Sequence, residues 1–195
     1  MVNINIYILS SLIAAFLVSY YIIPKIAGIV RYKKLMDDPC ERSSHTQATP
    51  NLGGITFFIT VLLSFYFISR FDVNHLAMSI IPSMVILFIS GLKDDLVVLS
   101  PRSKLSAQIV SALFLVFHES FTVHTLHGFM GIDNMPFLLA ASLSVLAVVT
   151  IINAINLIDG IDGLASSVAI IMFVFFGALF YVIGDFFLSL ISAVM

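Results

Sequence analysis

Residues 153–164 read NAINLIDGIDGL and sit between two long apolar runs. Asn153, Asn156, Asp159 and Asp162 recur at strict three-residue spacing. On one ideal α-helix each step of three lags by about 60°, so Asn153 and Asp162 would face opposite ways. One unbroken helix therefore cannot aim all four at a single ligand. Gly160 and Gly163 offer the remedy. The pattern predicts a helix ending near Asp159, a turn that re-aims Asp162, and a new helix opening at Leu164. Asp162 can also be read as a cap for that second helix, its oxygen accepting a free N–H. Capping accounts for Asp162 alone. Amides inside an apolar span are costly without partners, so Asn153 and Asn156 argue for a polar binding site.

The surrounding composition is that of an integral membrane protein. The 195 residues are 60% hydrophobic and 10% charged, against about 25% charged in soluble domains. Mean hydropathy is +1.11. Apolar runs at Ile4–Val30, Leu52–Ser69, Leu76–Leu92, Leu105–Phe117, Pro136–Ile158 and Leu164–Ile183 predict an all-α polytopic protein with about six full spans. Phe186–Met195 reads as a partial seventh. The fourth run is short and reads equally as a buried helix. Residues 118–135 alternate around Thr122–His127 and turn at Gly128 and Gly131, which predicts a small strand or hairpin. Cys40 is the single cysteine, which excludes an internal disulfide and a cysteine metal cage. No cleavable signal peptide is evident, because the basic cluster follows the first apolar run. Neither repeats nor low-complexity segments occur, and residues 1–195 read as one transmembrane domain.

Eight of the nine basic residues fall on one side of this topology, Arg70 being the other. The positive-inside rule makes that side cytoplasmic and puts the N-terminus outside. Loops 31–51, 93–104 and 153–163 are then cytoplasmic. Asp37/Asp38, Asp94/Asp95 and Asp159/Asp162 share that face.

Asp94 and Asp95 stand in GLKDDLVVLSPRSKLS, with Lys93, Arg102 and Lys104 nearby. The plain reading is a solvated loop end. Gly91, read as a bend at the end of a span, and the adjacent cations favour a Mg²⁺–phosphate site instead. Mg²⁺ takes one or two carboxylates together with phosphate oxygens and waters. In the first loop, Arg42 and His45 can contact phosphate, and a solvated loop is the equal alternative. "DGIDG" has the wrong spacing for an EF-hand.

Three motifs in order, TPNLGG (49–54), GLKDDL (91–96) and NAINLIDGIDGLA (153–165), resemble the polyprenyl-phosphate N-acetylhexosamine-1-phosphate transferases of glycosyltransferase family 4. The outer HGFMGIDNMPF (127–137) is similar to that family's outer loop, and the likeness covers nearly the whole chain. GLKDDL and the bare first loop sit closer to the undecaprenyl-phosphate N-acetylglucosamine-1-phosphate branch. The resemblance implies transfer of an amino-sugar phosphate from a UDP-N-acetylhexosamine to a polyprenyl phosphate, with release of UMP. That is a first step of cell-envelope polysaccharide synthesis at the bacterial cytoplasmic membrane. It implies Mg²⁺, with Mn²⁺ as a substitute, and a chain able to form a homodimer; nucleic acid is not a partner. Asp94 and Asp95 are the implied catalytic pair. Asp94, Asp95 and Asn156 are the implied metal ligands. Asn153, Asn156, Asp159 and Asp162 are the implied substrate contacts, with Lys93, Arg42 and His45 as further phosphate contacts.

The family carries about ten spans, with a later metal-binding acid and a histidine-rich motif, so the expectation is an N-terminal portion of a larger transferase, with activity expected of the full-length protein and not of residues 1–195 alone. Three rival readings stand beside it. A transporter would place acids within spans and on both sides. A CDP-alcohol phosphotransferase needs an Arg and spaced aspartates after "DG", and Leu164–Ile183 holds neither. A non-catalytic remnant is the third.

Overall fold

Helices dominate because each long apolar run must satisfy its own backbone hydrogen bonds in hydrocarbon, and a helix does so within one segment. The computed structural model describes residues 4–33, 35–37, 49–50, 52–68, 75–159, 161 and 163–195. Seven helices are described: α1 (Ile4–Lys33), α2 (Gly53–Ile68), α3 (His75–Leu96), α4 (Pro101–Val116), α5 (Phe137–Ile158), α6 (Leu164–Ile183) and α7 (Phe186–Val194). Among the described residues, three helical segments are long and apolar enough to cross a membrane: Ile6–Lys33, Phe137–Ile158 and Leu164–Ile183. Gly53–Phe65 is apolar but shorter. The other runs expected as spans are helices too, at 22 residues in α3, 16 in α4 and 9 in α7.

The chain divides into two compact units, residues 1–73 with 158–195, and residues 74–157. In the first, α1 packs on α2 and α7, and α6 on α7. Ser19 and Thr60 share a 3.0 Å hydrogen bond between α1 and α2. Lys25 lies 3.6 Å from the centre of the Tyr21 ring, a cation–π pairing suited to a helix end at the lipid–water boundary. Gly184, at φ 90°, and Asp185, which accepts from the Leu188 N–H, reverse the chain between α6 and α7. Gly177 makes the return close: a Cβ there would meet the Ser192 Cβ at 3.2 Å. The Ser189 hydroxyl donates to the Gly177 carbonyl at 3.0 Å. Small residues let helix backbones approach in this way where no hydrophobic drive exists between helices in lipid. An apolar cavity of about 580 Å³ lies between α1, α6 and α7, lined by Leu9, Leu12, Phe173, Val174 and Tyr181 among others.

A short antiparallel pair joins Met36–Asp37 (β1) to Thr49–Pro50 (β2) and closes the base of the first loop. Leu52, just beyond it, takes φ 68°, a left-handed conformation uncommon for a leucine.

In the second unit, α3 and α4 form a tightly packed pair. The fully buried Ser111 hydroxyl lies 2.6 Å from that of Ser83 and donates to the Ser83 carbonyl at 3.0 Å. The expected hairpin at 118–135 is a tight loop closed by a Thr125–Asn134 bridge. The Met135 N–H donates to the His124 carbonyl, and the Leu126 N–H to that of Asp133. The loop holds α5 as well, because the Val123 N–H donates to the Ser144 hydroxyl at 2.8 Å.

Candidate active site

The acid pair lies in the last turn of α3, not after it. The expected bend at Gly91 does not occur. A single glycine costs a helix about 1 kcal/mol, too little to end one that continues into the Asp94 clamp described next. Two carboxylates therefore sit at a helix C-terminus, where the macrodipole disfavours negative charge. Two compensating contacts hold Asp94. The Lys104 ammonium reaches Asp94 Oδ2 at 2.7 Å, and the Leu99 N–H donates to Oδ1 at 2.9 Å. Partial burial pushes the Asp94 carboxyl up, but the Lys104 bond and charge and the Leu99 N–H outweigh it and hold it below its ordinary value. Asp94 is thus an ionised carboxylate at neutral pH, clamped across the link from α3 to α4. Asp95, Lys93 and Arg102 are exposed.

The second helix of the clamp begins cleanly. Ser100 caps α4 by accepting the Ser103 N–H at 3.2 Å, and Pro101 occupies the first helical position. Lys104, Gln108 and Ser111 then recur at spacings of four and three along one face. Lys104 meets Asp94, Ser111 meets Ser83, and Gln108 meets Asn153 of α5. This polar seam makes α4 the link between the acid pair and the polar end of α5. In the sequence Lys104 reads as a neighbouring cation, and Gln108 is assigned no role. An uncharged amide inside an apolar run was the available signal, because such a group needs a partner.

At the end of α5, the Asn153 amide donates to Gln108 Oε1 at 2.8 Å and to the Val149 carbonyl at 2.9 Å. Gln108 Nε2 answers weakly, 3.4 Å from Asn153 Oδ1. Asn156, a turn further on, is exposed, as is Asp159 in the turn that follows. The helix break falls where the residue pattern placed it, after Ile158, and α6 opens at Leu164. The N-cap position of α6 is Gly163, at φ 75° and with no side-chain cap bond. The Ser166 and Ser167 hydroxyls both donate back to the Gly163 carbonyl. Asp162, Arg42 and His45 lie outside the described residues.

The structure thus brings Asp94, Asp95, Lys93, Asn153 and Asn156 into one compact unit, with Asp159 in the other. Among the described residues no group of three or more His, Cys, Asp or Glu side chains could hold a metal ion. An adjacent carboxylate pair with one member exposed still fits Mg²⁺, which needs one or two carboxylates and completes its shell with phosphate and water.

A helical protein with three described helices long and apolar enough to cross a membrane, an acid pair on a helix end and an amide-rich turn is the class these features define. Residues 76–195 match the model of glycosyl transferase family 4, and the chain belongs to that family. Membership makes it a transferase and points to phospho-sugar transfer onto a polyprenyl phosphate. No curated protein matches the chain.

Proposed function

We propose that the protein transfers an N-acetylhexosamine-1-phosphate from a UDP-sugar to a polyprenyl phosphate, undecaprenyl phosphate in bacteria, at the cytoplasmic membrane face. A phosphate oxygen of the lipid attacks the β-phosphorus of the UDP-sugar. The bond from that phosphorus to the bridging oxygen breaks, and UMP leaves with the electron pair. The carrying observation is the family match across residues 76–195, which contain both the DD and the NxxNxxDGxDG motifs.

Such phosphoryl transfer is mainly positioning and charge neutralisation. Asp94, already ionised and committed to Lys104 and Leu99, is suited to fixing charge and geometry. Asp95, exposed beside it, is the candidate to meet the incoming phosphate. Asn156 and Asp159, both exposed, are the candidate contacts to metal and nucleotide, with Asp162 beside them. Lys93, Arg42 and His45 remain candidate phosphate contacts. When bound, Mg²⁺ would neutralise diphosphate charge and stabilise the leaving oxygen; Asp94, Asp95 and Asn156 would hold it.

The test is isotope exchange. Labelled UMP should enter UDP-N-acetylglucosamine in membranes carrying the protein, in the presence of undecaprenyl phosphate and Mg²⁺. Exchange that proceeds without the lipid phosphate would contradict the direct-transfer reading. Orientation has a separate check. Ser100→Cys and Asn134→Cys, each in a Cys40→Ala background, should react with impermeant thiol reagents from the inside and the outside respectively. Labelling of Ser100→Cys from outside would reverse the topology.

A further inference from the structure

We propose that Gln108 is a positioning residue for this reaction, and that Asn153 serves as its partner rather than as a substrate contact. The proposal rests on the transferase reading for its functional part.

Gln108 is only 6% exposed, on the buried face of α4. A buried amide is costly unless hydrogen-bonded. Asn153 supplies the bond, and its own donors are then fully used: one N–H goes to Gln108 Oε1 and the other to the Val149 carbonyl. The amide orientation follows from chemistry. A backbone carbonyl can only accept, so the nitrogen of Asn153 must face Val149, and Gln108 must present its oxygen. For Asn153 to donate to a phosphate or to a uracil carbonyl it would have to abandon one of these bonds. Abandoning Gln108 would leave a buried carbonyl oxygen unpaired.

What the pair controls follows from its position. Lys104, one turn before Gln108, holds Asp94. Asn156 lies three residues after Asn153, about 4.5 Å further along α5. Near its other end α5 is tied through Ser144 to Val123. The Gln108–Asn153 pair is therefore a second tie, one turn from Asn156. It fixes how that end of α5 is rotated relative to the helix that holds Asp94.

The test compares wild type, Gln108→Ala, Asn153→Ala, the double variant, and the swapped pair Gln108→Asn/Asn153→Gln. Kinetics and thermal unfolding are measured on each protein in detergent. Each single variant should lower kcat about tenfold, in the range of lost supporting contacts around a metal site, with KM for the UDP-sugar unchanged. The double variant should be no slower than the worse single variant, and the swap should recover most of the rate. Melting temperatures should show the same non-additivity. A rise in KM for Asn153→Ala that Gln108→Ala does not share would make Asn153 a substrate contact and overturn the proposal. Unchanged kcat with lowered melting temperatures would reduce the pair to a structural tie and also overturn it. A wild type that transfers nothing would defeat the transferase reading, and with it the positioning role. The pairing itself would then stand or fall on the melting temperatures, with additive losses refuting it.

Discussion

Helices α4 and α6 are built on opposite rules. Helix α6 is 20 residues of almost unbroken apolar sequence, and none of its residues is buried. Helix α4 is 16 residues, and its buried face includes Gln108 and Ser111. A soluble protein would hide the first and display the second. The inversion extends beyond these two helices. Thr60, Ser64, Ser83, Ser144 and Ser189 are also buried, whereas Ile170, Ile171, Val174 and Phe175 are exposed. Lipid tails are as apolar as leucine, so burying leucine gains little there. Helices instead associate through small residues and hydrogen bonds, and the greasy surface faces outward. In this chain the polar seam that joins α4 to its neighbours also runs to the acid pair.

The largest effect should come from breaking the rule on α6. Ile171→Lys places a cation on an exposed mid-helix position, at a cost of about 2.5–3.5 kcal/mol on insertion scales. Membrane-integrated protein, measured by carbonate extraction, should fall sharply. Normal integration of this variant would show that Ile171 does not face lipid.

A smaller loss should follow from cutting the buried end of the α4 seam. Ser111→Ala removes the partner of the Ser83 hydroxyl, which is itself 3% exposed. Interhelical hydrogen bonds in membranes are worth about 0.6 kcal/mol on average, with about 1.7 as a maximum. The melting temperature in detergent should drop modestly while integration is unchanged. No drop would mean that α3 and α4 pair through shape alone.

The smallest effect belongs to the wet end of the seam. Lys104 is 43% exposed and Asp94 30%, so their ion pair is screened, and Lys104→Met should cost about 0–1 kcal/mol. Its pH dependence is more telling than its size. The Asp94 carboxyl is held below its ordinary value of 3.8. The clamp's contribution is therefore complete above that value and lost as the pH falls below it. Wild type and Lys104→Met should differ in stability near neutrality and converge in acid. A difference that persists at low pH would assign the effect of Lys104 to packing.

These two helices also mark how far the residues alone carried the reading. The apolar run of α6 and its start at Leu164 were legible because length, hydropathy and glycine punctuation all agree there. The break after Ile158 was legible for the same reason. At the end of α3 those signals conflict: Gly91 reads as a bend, whereas the helix continues through it into a charged clamp. The tie between Gln108 and Asn153 was hidden because it spans 45 residues of sequence. Local periodicity cannot reveal which distant group answers a buried amide. The DD and NxxNxxDGxDG motifs single out candidate residues, but they do not tell that Asp94 and Asn153 have protein partners while Asn156 and Asp159 are exposed.

The most direct test of the account is the rate of UMP release from UDP-N-acetylglucosamine in membranes containing the protein and undecaprenyl phosphate. The account predicts release that requires both the lipid phosphate and Mg²⁺. Asp95→Asn should lower it by at least about 100-fold, the loss expected when a charged group acting on the reacting phosphates is removed. Release by Asp95→Asn at the wild-type rate would contradict the assignment of the acid pair as the centre of the reaction.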